Sequence, residues 1–201
     1  MLRVSASHPA RPTLDTERLR LRRVSSEHTE GFAALYAKPE VMRHLTGKPR
    51  TREESAAHVA RMMAHWETHG FGLFAVTLRE APSVAPDVAP DVAPDVIGRA
   101  GLCYLEDTGL VEIAYLFDTP LWGQGLATEM GRELLRWGFE ELGLERIVGV
   151  ANLENVASQA VLRKLGMLHV GRAFHYGNAV ERFECSLVDW REGRAAGGRL
   201  R

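Results

Sequence analysis

The sequence predicts an α+β fold: one central, mostly antiparallel twisted sheet of six to seven strands, flanked by about four helices. Three observations point to it. Short runs rich in β-branched and aromatic residues recur from end to end of the 201 residues. Stretches of helical periodicity with readable start and stop signals stand between several of them. The first three strand-like runs come in antiparallel order, with a helical pair between the first and the second.

Residues 1–13 hold Pro9 and Pro12 and little apolar periodicity, so a frayed, disordered arm is expected ahead of a single domain over 14–190. The alternation of Leu19 and Leu21 with charge predicts a half-buried strand over 18–24. A helix capped by Ser25 or Ser26 follows, with Phe32, Leu35 and Tyr36 on its apolar face, and ends near Lys38 because Pro39 comes next. Thr51-Arg52-Glu53-Glu54 has the form of a capping box. It opens a helix carrying Ala57, Val59, Met62, Met63 and Trp66, which Gly70 ends as a left-handed cap. His58 and His65, seven apart on that helix, are expected to be solvated or capping residues.

Strands are predicted over 72–78 and 96–104, and between them Val-Ala-Pro-Asp occurs three times in succession. Proline at every fourth position blocks helix and a four-residue period buries nothing, so 80–96 reads as a proline-rich hairpin insert. Further strands are predicted over 110–117, 146–151, 168–174 and 182–188, with a turn at Tyr176-Gly177-Asn178 before the last. Residues 191–201, rich in Gly and Arg, are expected to form a disordered tail.

Composition excludes several classes. With 25 Lys plus Arg against 26 Asp plus Glu, the formal net charge is −1, and no basic field is available for nucleic acid. No apolar run reaches the length of a membrane span and no signal peptide is recognisable, so a cytoplasmic protein is expected. Cys103 and Cys185, in strand-like contexts and without CxxC or paired-His spacing, read as small hydrophobes, and no metal site is expected.

The stretch that carries chemistry is 110–135. A β-rich run leads through Asp118-Thr119-Pro120 into Trp122-Gly123-Gln124-Gly125-Leu126-Ala127, and a helical pattern runs from about Thr128 to Leu142. A glycine bend between a strand and a helix N-terminus gathers free N–H groups where the helix dipole also favours negative charge, which suits a phosphate. The dinucleotide fingerprint is not met: Thr128 stands where a third small residue is needed, and the glycines do not follow the strand directly.

Glu112-Ile113-Ala114-Tyr115, the glycine bend through Thr128-Glu129, then Asn155-Val156-Ala157-Ser158 and Leu165-Gly166-Met167 follow one another in an order and spacing that resembles the GNAT superfamily of N-acetyltransferases. More narrowly it resembles the ribosomal-protein N-acetyltransferase (RimJ/RimL-like) branch, over about 14–190. The resemblance implies acetyl-CoA as co-substrate, with its pyrophosphate on the backbone of Gly123, Gln124, Gly125, Leu126, Ala127 and Thr128. It implies that the strands over 111–117 and 146–151 splay, so that the pantetheine arm adds to the backbone of Tyr115, Leu116 and Phe117. Asn155 matches an amide-binding asparagine and is also a good helix cap. Trp122 stands where the superfamily often has Arg or Gln, an aromatic that the narrower branch shares.

The implied reaction is direct attack of an amine on the thioester in a ternary complex. Stripping a proton from a lysine at pH 7 costs about 4.6 kcal/mol, but about 1 kcal/mol from an α-amine. Glu112, alone among apolar neighbours beside the strand gap, is the candidate base, acting through water. Leu162 occupies the place of the superfamily's tyrosine acid, which leaves Ser158, one turn earlier, as the candidate acid and a further cofactor contact. His175, Tyr176 and Glu181 are reserve titratable groups. Tyr36, Met42 and His44 are candidate acceptor contacts, with plain packing the simpler expectation. The expected partner is a small-molecule or peptide amine, with a monomer or homodimer both compatible. Loss of the tyrosine also leaves open a non-catalytic acyl-CoA sensor on the same fold.

Overall fold

The computed structural model describes residues 13–79 and 95–195; most of the proline-rich insert and the outermost parts of both termini lie outside them. Eight strands form one sheet in the order β1-β2-β3-β4-β5-β6-β8-β7. They are β1 Thr13–Asp15, β2 Leu19–Arg23, β3 Leu73–Leu78, β4 Gly98–Tyr104, β5 Val111–Phe117, β6 Arg146–Asn152, β7 Leu168–His175 and β8 Asn178–Ser186. Every neighbouring pair is antiparallel except β5 and β6, which run parallel. The expected mixed class holds, with one strand beyond those predicted: β1, three residues that pair with β2.

Six helices accompany the sheet: α1 Thr29–Tyr36, α2 Pro39–Met42, α3 Arg52–His69, α4 Leu126–Arg136, α5 Val156–Lys164 and α6 Leu187–Ala195. The capping box of α3 forms as read, Glu54 N–H donating to Thr51 Oγ1 at 3.2 Å and Thr51 N–H to Glu54 Oε2 at 2.9 Å. Gly70 closes it at φ 74°. Pro39 does not merely stop α1. Its fixed φ suits the first turn of a new helix, and it starts α2. Beyond α4, a wide π turn over Trp137–Glu141 replaces the continuous helix expected to Leu142.

β3 is buried on both faces, as alternation along a strand requires when helices cover both sides. Phe74 and Val76 join Trp66, Trp137, Met130 and Leu134 in one core, while Leu73 and Ala75 join Phe32, Tyr36, Met42 and Met62 in another. The two histidines of α3 are more deeply engaged than expected. His65 bonds the Phe71 carbonyl at 2.8 Å and accepts from Tyr104 N–H at 3.3 Å. His58 meets Arg99.

At the C-terminal end the last strand begins at Asn178, four residues before the predicted start. The Tyr176-Gly177 turn has φ of 53° and 74°, the left-handed pair of a tight two-residue hairpin, so pairing resumes at once. The helix α6 then runs on to Ala195, into the stretch expected to be a disordered tail, and buries part of Trp190 against Phe139.

Candidate functional site

The glycine bend is built from both sides. Asp118 accepts from Thr119 N–H through Oδ1 and pairs through Oδ2 with Lys38 Nζ at 2.5 Å. The indole N–H of Trp122 reaches back to the Phe117 carbonyl at 2.8 Å. Gly123 and Gly125 then take φ of 75° and 79°, a backbone region that L side chains avoid. Gly125, in that conformation, caps α4, which therefore begins at Leu126 and not near Thr128. From the turn between β1 and β2, Arg18 donates through Nη1 to the Gln124 carbonyl at 3.0 Å and through Nε to Glu129 Oε2 at 2.6 Å. Thr16 Oγ1 donates to the other oxygen of Glu129 at 2.5 Å. The start of α4 is thus clamped to the first hairpin.

Among the described residues, no acceptor meets the N–H groups of Gly123, Gln124, Gly125, Leu126 and Ala127. Consecutive unsatisfied amides at a helix N-terminus, ordered by two left-handed glycines, make an anion cradle. Thr128 falls outside it: its N–H already donates to Gly125 O at 3.1 Å, because it is the residue that closes the first turn of the helix.

β4 pairs with β5 along its whole length and all of β6 pairs with β8, yet β5 and β6 share only the pair Glu112↔Val148. Beyond that point the strands diverge. The gap is part of a cleft of about 650 Å³, whose walls include Ala114 and Tyr115 from β5, Val150 and Asn152 from β6, and Ser158 from α5. A smaller cavity of about 410 Å³, beside α4 and α6, shares no lining residue with it. The Phe117 carbonyl, expected to face the gap, is already used by Trp122.

Glu112 sits at the apex of the gap and is 4% exposed. Its Oε1 accepts from the Tyr176 hydroxyl and, at 3.6 Å, from Cys103 Sγ. Burial pushes its carboxyl above the ordinary value, and the bonds from Tyr176 and Cys103 and the charge of Arg99 only partly offset that. Burial likewise pushes the Tyr176 phenol well up, with the charge of Glu112 adding to it, so Tyr176 is the donor in this pair. Ser158 Oγ lies 3.0 Å from the Tyr115 hydroxyl, whose pKa burial raises to about 12. Asn155 Oδ1 accepts from Ser158 N–H at 3.0 Å, the cap role, which leaves its Nδ2 without an acceptor among the described residues.

The remaining candidates divide. His44 lines the cleft, whereas Tyr36 and Met42 are fully buried core residues. His175 lines it too, bonded to Glu106 at 2.9 Å. Glu181 is bound outside it to His169 and Arg172. The sequence reading missed Tyr176 as the partner of Glu112, the Tyr115 hydroxyl, and a group of cleft arginines. Only the isolation of Arg99 within an otherwise small and apolar strand could have marked one of these. Among the described residues no group of His, Cys, Asp or Glu is arranged to hold a metal, and no helix is long and apolar enough to cross a membrane.

Residues 18–168 match the family described as Acetyltransferase (GNAT) domain. An FsC-acetyl coenzyme A-N(2)-transacetylase of Aspergillus fumigatus is 34% identical over 168 residues, 83% of this chain and 69% of that one. An uncharacterised N-acetyltransferase, p20, of Bacillus licheniformis is 28% identical over 83% of this chain and 88% of its own. The crystal structure of an acetyltransferase from Agrobacterium tumefaciens superposes with a TM-score of 0.70 at 23% identity, covering 87% of this chain and 94% of that one. Together with the motif order from Glu112 to Met167, these matches show that the chain belongs to the GNAT family and is an N-acetyltransferase of a kind that uses acetyl-CoA.

Proposed function

We propose that the protein binds acetyl-CoA across the glycine bend and the β5–β6 gap, and passes the acetyl group to a primary amine by direct attack in a ternary complex. The observation that carries this reading is the conjunction of the unsatisfied amides at 123–127 with a strand gap whose apex holds a buried carboxylate. Acetyl-CoA supplies an activated acyl group; the chain supplies the cradle, the gap and the proton traffic. The amides of Gly123 to Ala127 receive the pyrophosphate, each charge-assisted bond contributing about 1.5–3 kcal/mol. The backbone groups of Tyr115, which face the gap while those of Leu116 are spent on the β4 ladder, receive the pantetheine amides, and the spare Nδ2 of Asn155 is a further donor to them.

Glu112 takes the proton of the attacking ammonium, through water. Its raised pKa brings it closer to the working range of a base at neutral pH. The Ser158 hydroxyl, in contact with Tyr115, meets the departing thiolate, so Tyr115 acts through Ser158 as a positioning group. The acceptor is a protein N-terminal or small-molecule amine, and the cationic cleft described below narrows the choice.

Release of free CoA thiol from acetyl-CoA across a panel of amines tests the reading. Turnover that needs both amine and enzyme, and that falls in Glu112→Gln while acetyl-CoA still binds, is the expected result. Tight acetyl-CoA binding with no thiol release from any amine would show a sensor instead, and absence of binding would refute the site altogether.

A further inference from the structure

The cleft wall facing the gap is cationic and poor in acids. Arg43, Arg50 and Arg99 all line it, and among its described lining residues Glu112 is the only carboxylate. Arg50 lies over the Tyr36 ring at 5.1 Å and has no acidic partner within ion-pair distance among the described residues. Arg99 spends Nη1 on His58 Nε2 at 2.8 Å, while its Nε is buried with no hydrogen-bond partner among the described residues. Several arginines elsewhere on the molecule are neutralised, among them Arg18 by Glu129, Arg146 by Glu184, and Arg136 by three glutamates.

His58 does not relieve the charge. Burial, then the charges of Arg99, Arg50 and Arg61, drive its pKa down to about 2, so it stays neutral and serves as an acceptor that orients Arg99. Burial and the neighbouring Arg99 also lower the pKa of Arg50. Two half-buried guanidiniums held near each other, neither ion-paired and with only the charges of Glu54 and Glu112 to offset them, favour an added anion. The fork of an arginine matches a carboxylate or a phosphate, and a pair of them fixes its orientation as well as its charge.

Placement ties this group to the reaction. Arg99 lies on the same face of β4 as Cys103, four residues along, and Cys103 stands opposite Glu112 in the β4–β5 register. An anion at Arg50 and Arg99 and an amine at Glu112 would therefore lie along one sheet face inside one cleft, whose volume, shared with the acyl-bearing arm, suits a small molecule.

Resting on the acetyl-transfer reading, we propose that the acceptor is a small amine bearing a carboxylate, which Arg50 and Arg99 bind while its amino group meets Glu112. Calorimetric titration of the CoA-saturated protein with a series of ω-amino acids of increasing length tests this, each compared with its carboxamide and its aminoalkyl phosphonate. Expected is at least ten-fold tighter binding of a carboxylate than of its carboxamide at the best length, a preference that Arg50→Gln and Arg99→Gln each erase while CoA affinity is retained. Equal binding of acid and amide, or equal weakening of both in Arg50→Gln, overturns the proposal. Preference for phosphonates, or for a short peptide with an acidic second residue over the free amino acids, overturns its assignment to a small carboxylate. Failure of CoA to bind sinks the acetyl-transfer reading instead, which keeps the two apart.

Discussion

Glu112 shows how one residue can be both a cost to the fold and its chemical asset. Burial raises its pKa in the folded state, so the unfolded chain gives up the proton first as pH rises. Below the ordinary carboxylate range both states hold the proton and there is no penalty; above it, stability is lost until the folded pKa is passed. Glu112→Gln should therefore melt higher than the parent at pH 7 and lose that advantage as the pH is taken down through about 4, which thermal melts at several pH values would show. The same substitution should lower kcat by about 10²–10⁴-fold, the usual reach of a general base. Tyr176→Phe tests the partner. Its hydroxyl bond holds the Glu112 pKa down, so its loss should move the acidic limb of the pH–rate profile upward. Glu112 was legible in sequence because a lone carboxylate in an apolar strand is conspicuous. Tyr176 was legible only as a reserve, because 64 residues separate the two and a two-residue turn brings them together. Arg50 and Arg99 are hidden for the same reason: nothing local in either says that the other neutralises no acid beside it.

At the scale of elements, what the sequence revealed were features whose physics is local. The capping box at Thr51 is one, because every atom it needs lies within four residues. Thr51→Ala should cost about 1 kcal/mol by denaturant unfolding, with activity unaffected once folded, as expected for loss of a helix cap. The glycine bend is another, although its detail differs from expectation. Gly125 itself is the cap, held left-handed, and the helix gains two residues at its start. Nothing in the protein crowds a Cβ at Gly125, whose nearest atom would be Arg18 Nη2 at 3.7 Å; the constraint is φ alone. Gly125→Ala is expected to cost about 1–2 kcal/mol of stability and, by turning the amides of Leu126 and Ala127, to weaken acetyl-CoA binding more than acceptor binding. An unchanged acetyl-CoA affinity in a folded Gly125→Ala protein would remove the cradle from the mechanism. β8 was only partly legible, since Asn178-Ala179-Val180-Glu181 is short on apolar residues and becomes a strand by pairing with β7, and from Val180 on with β6 as well.

For the molecule as a whole, the sheet is two sheets that meet at one point. β1 to β5 form a continuous ladder, β6, β8 and β7 form another, and Glu112↔Val148 is the pairing that joins them. No local pattern in β5 or β6 announces this divergence, because each strand is a good β-former; it was foreseen only through family resemblance. Divergence leaves backbone groups of β5 and β6 without strand partners on the sides that face each other, a cost that a fold bears only where something else takes the place of the missing strand. If the pantetheine arm does so, acetyl-CoA should slow amide hydrogen exchange on both lips of the gap together, at Tyr115 and at Val150 and Asn152, as well as at Gly123 to Ala127. The ladders of β2 with β3 and of β7 with β8 should change far less. At one hundred times its dissociation constant the ligand should also add about 2.7 kcal/mol to unfolding free energy. Protection confined to the glycine bend, with both lips of the gap exchanging as before, would mean that the phosphates dock while the thiol-bearing arm lies elsewhere, and Glu112 would then have no acyl group to act beside.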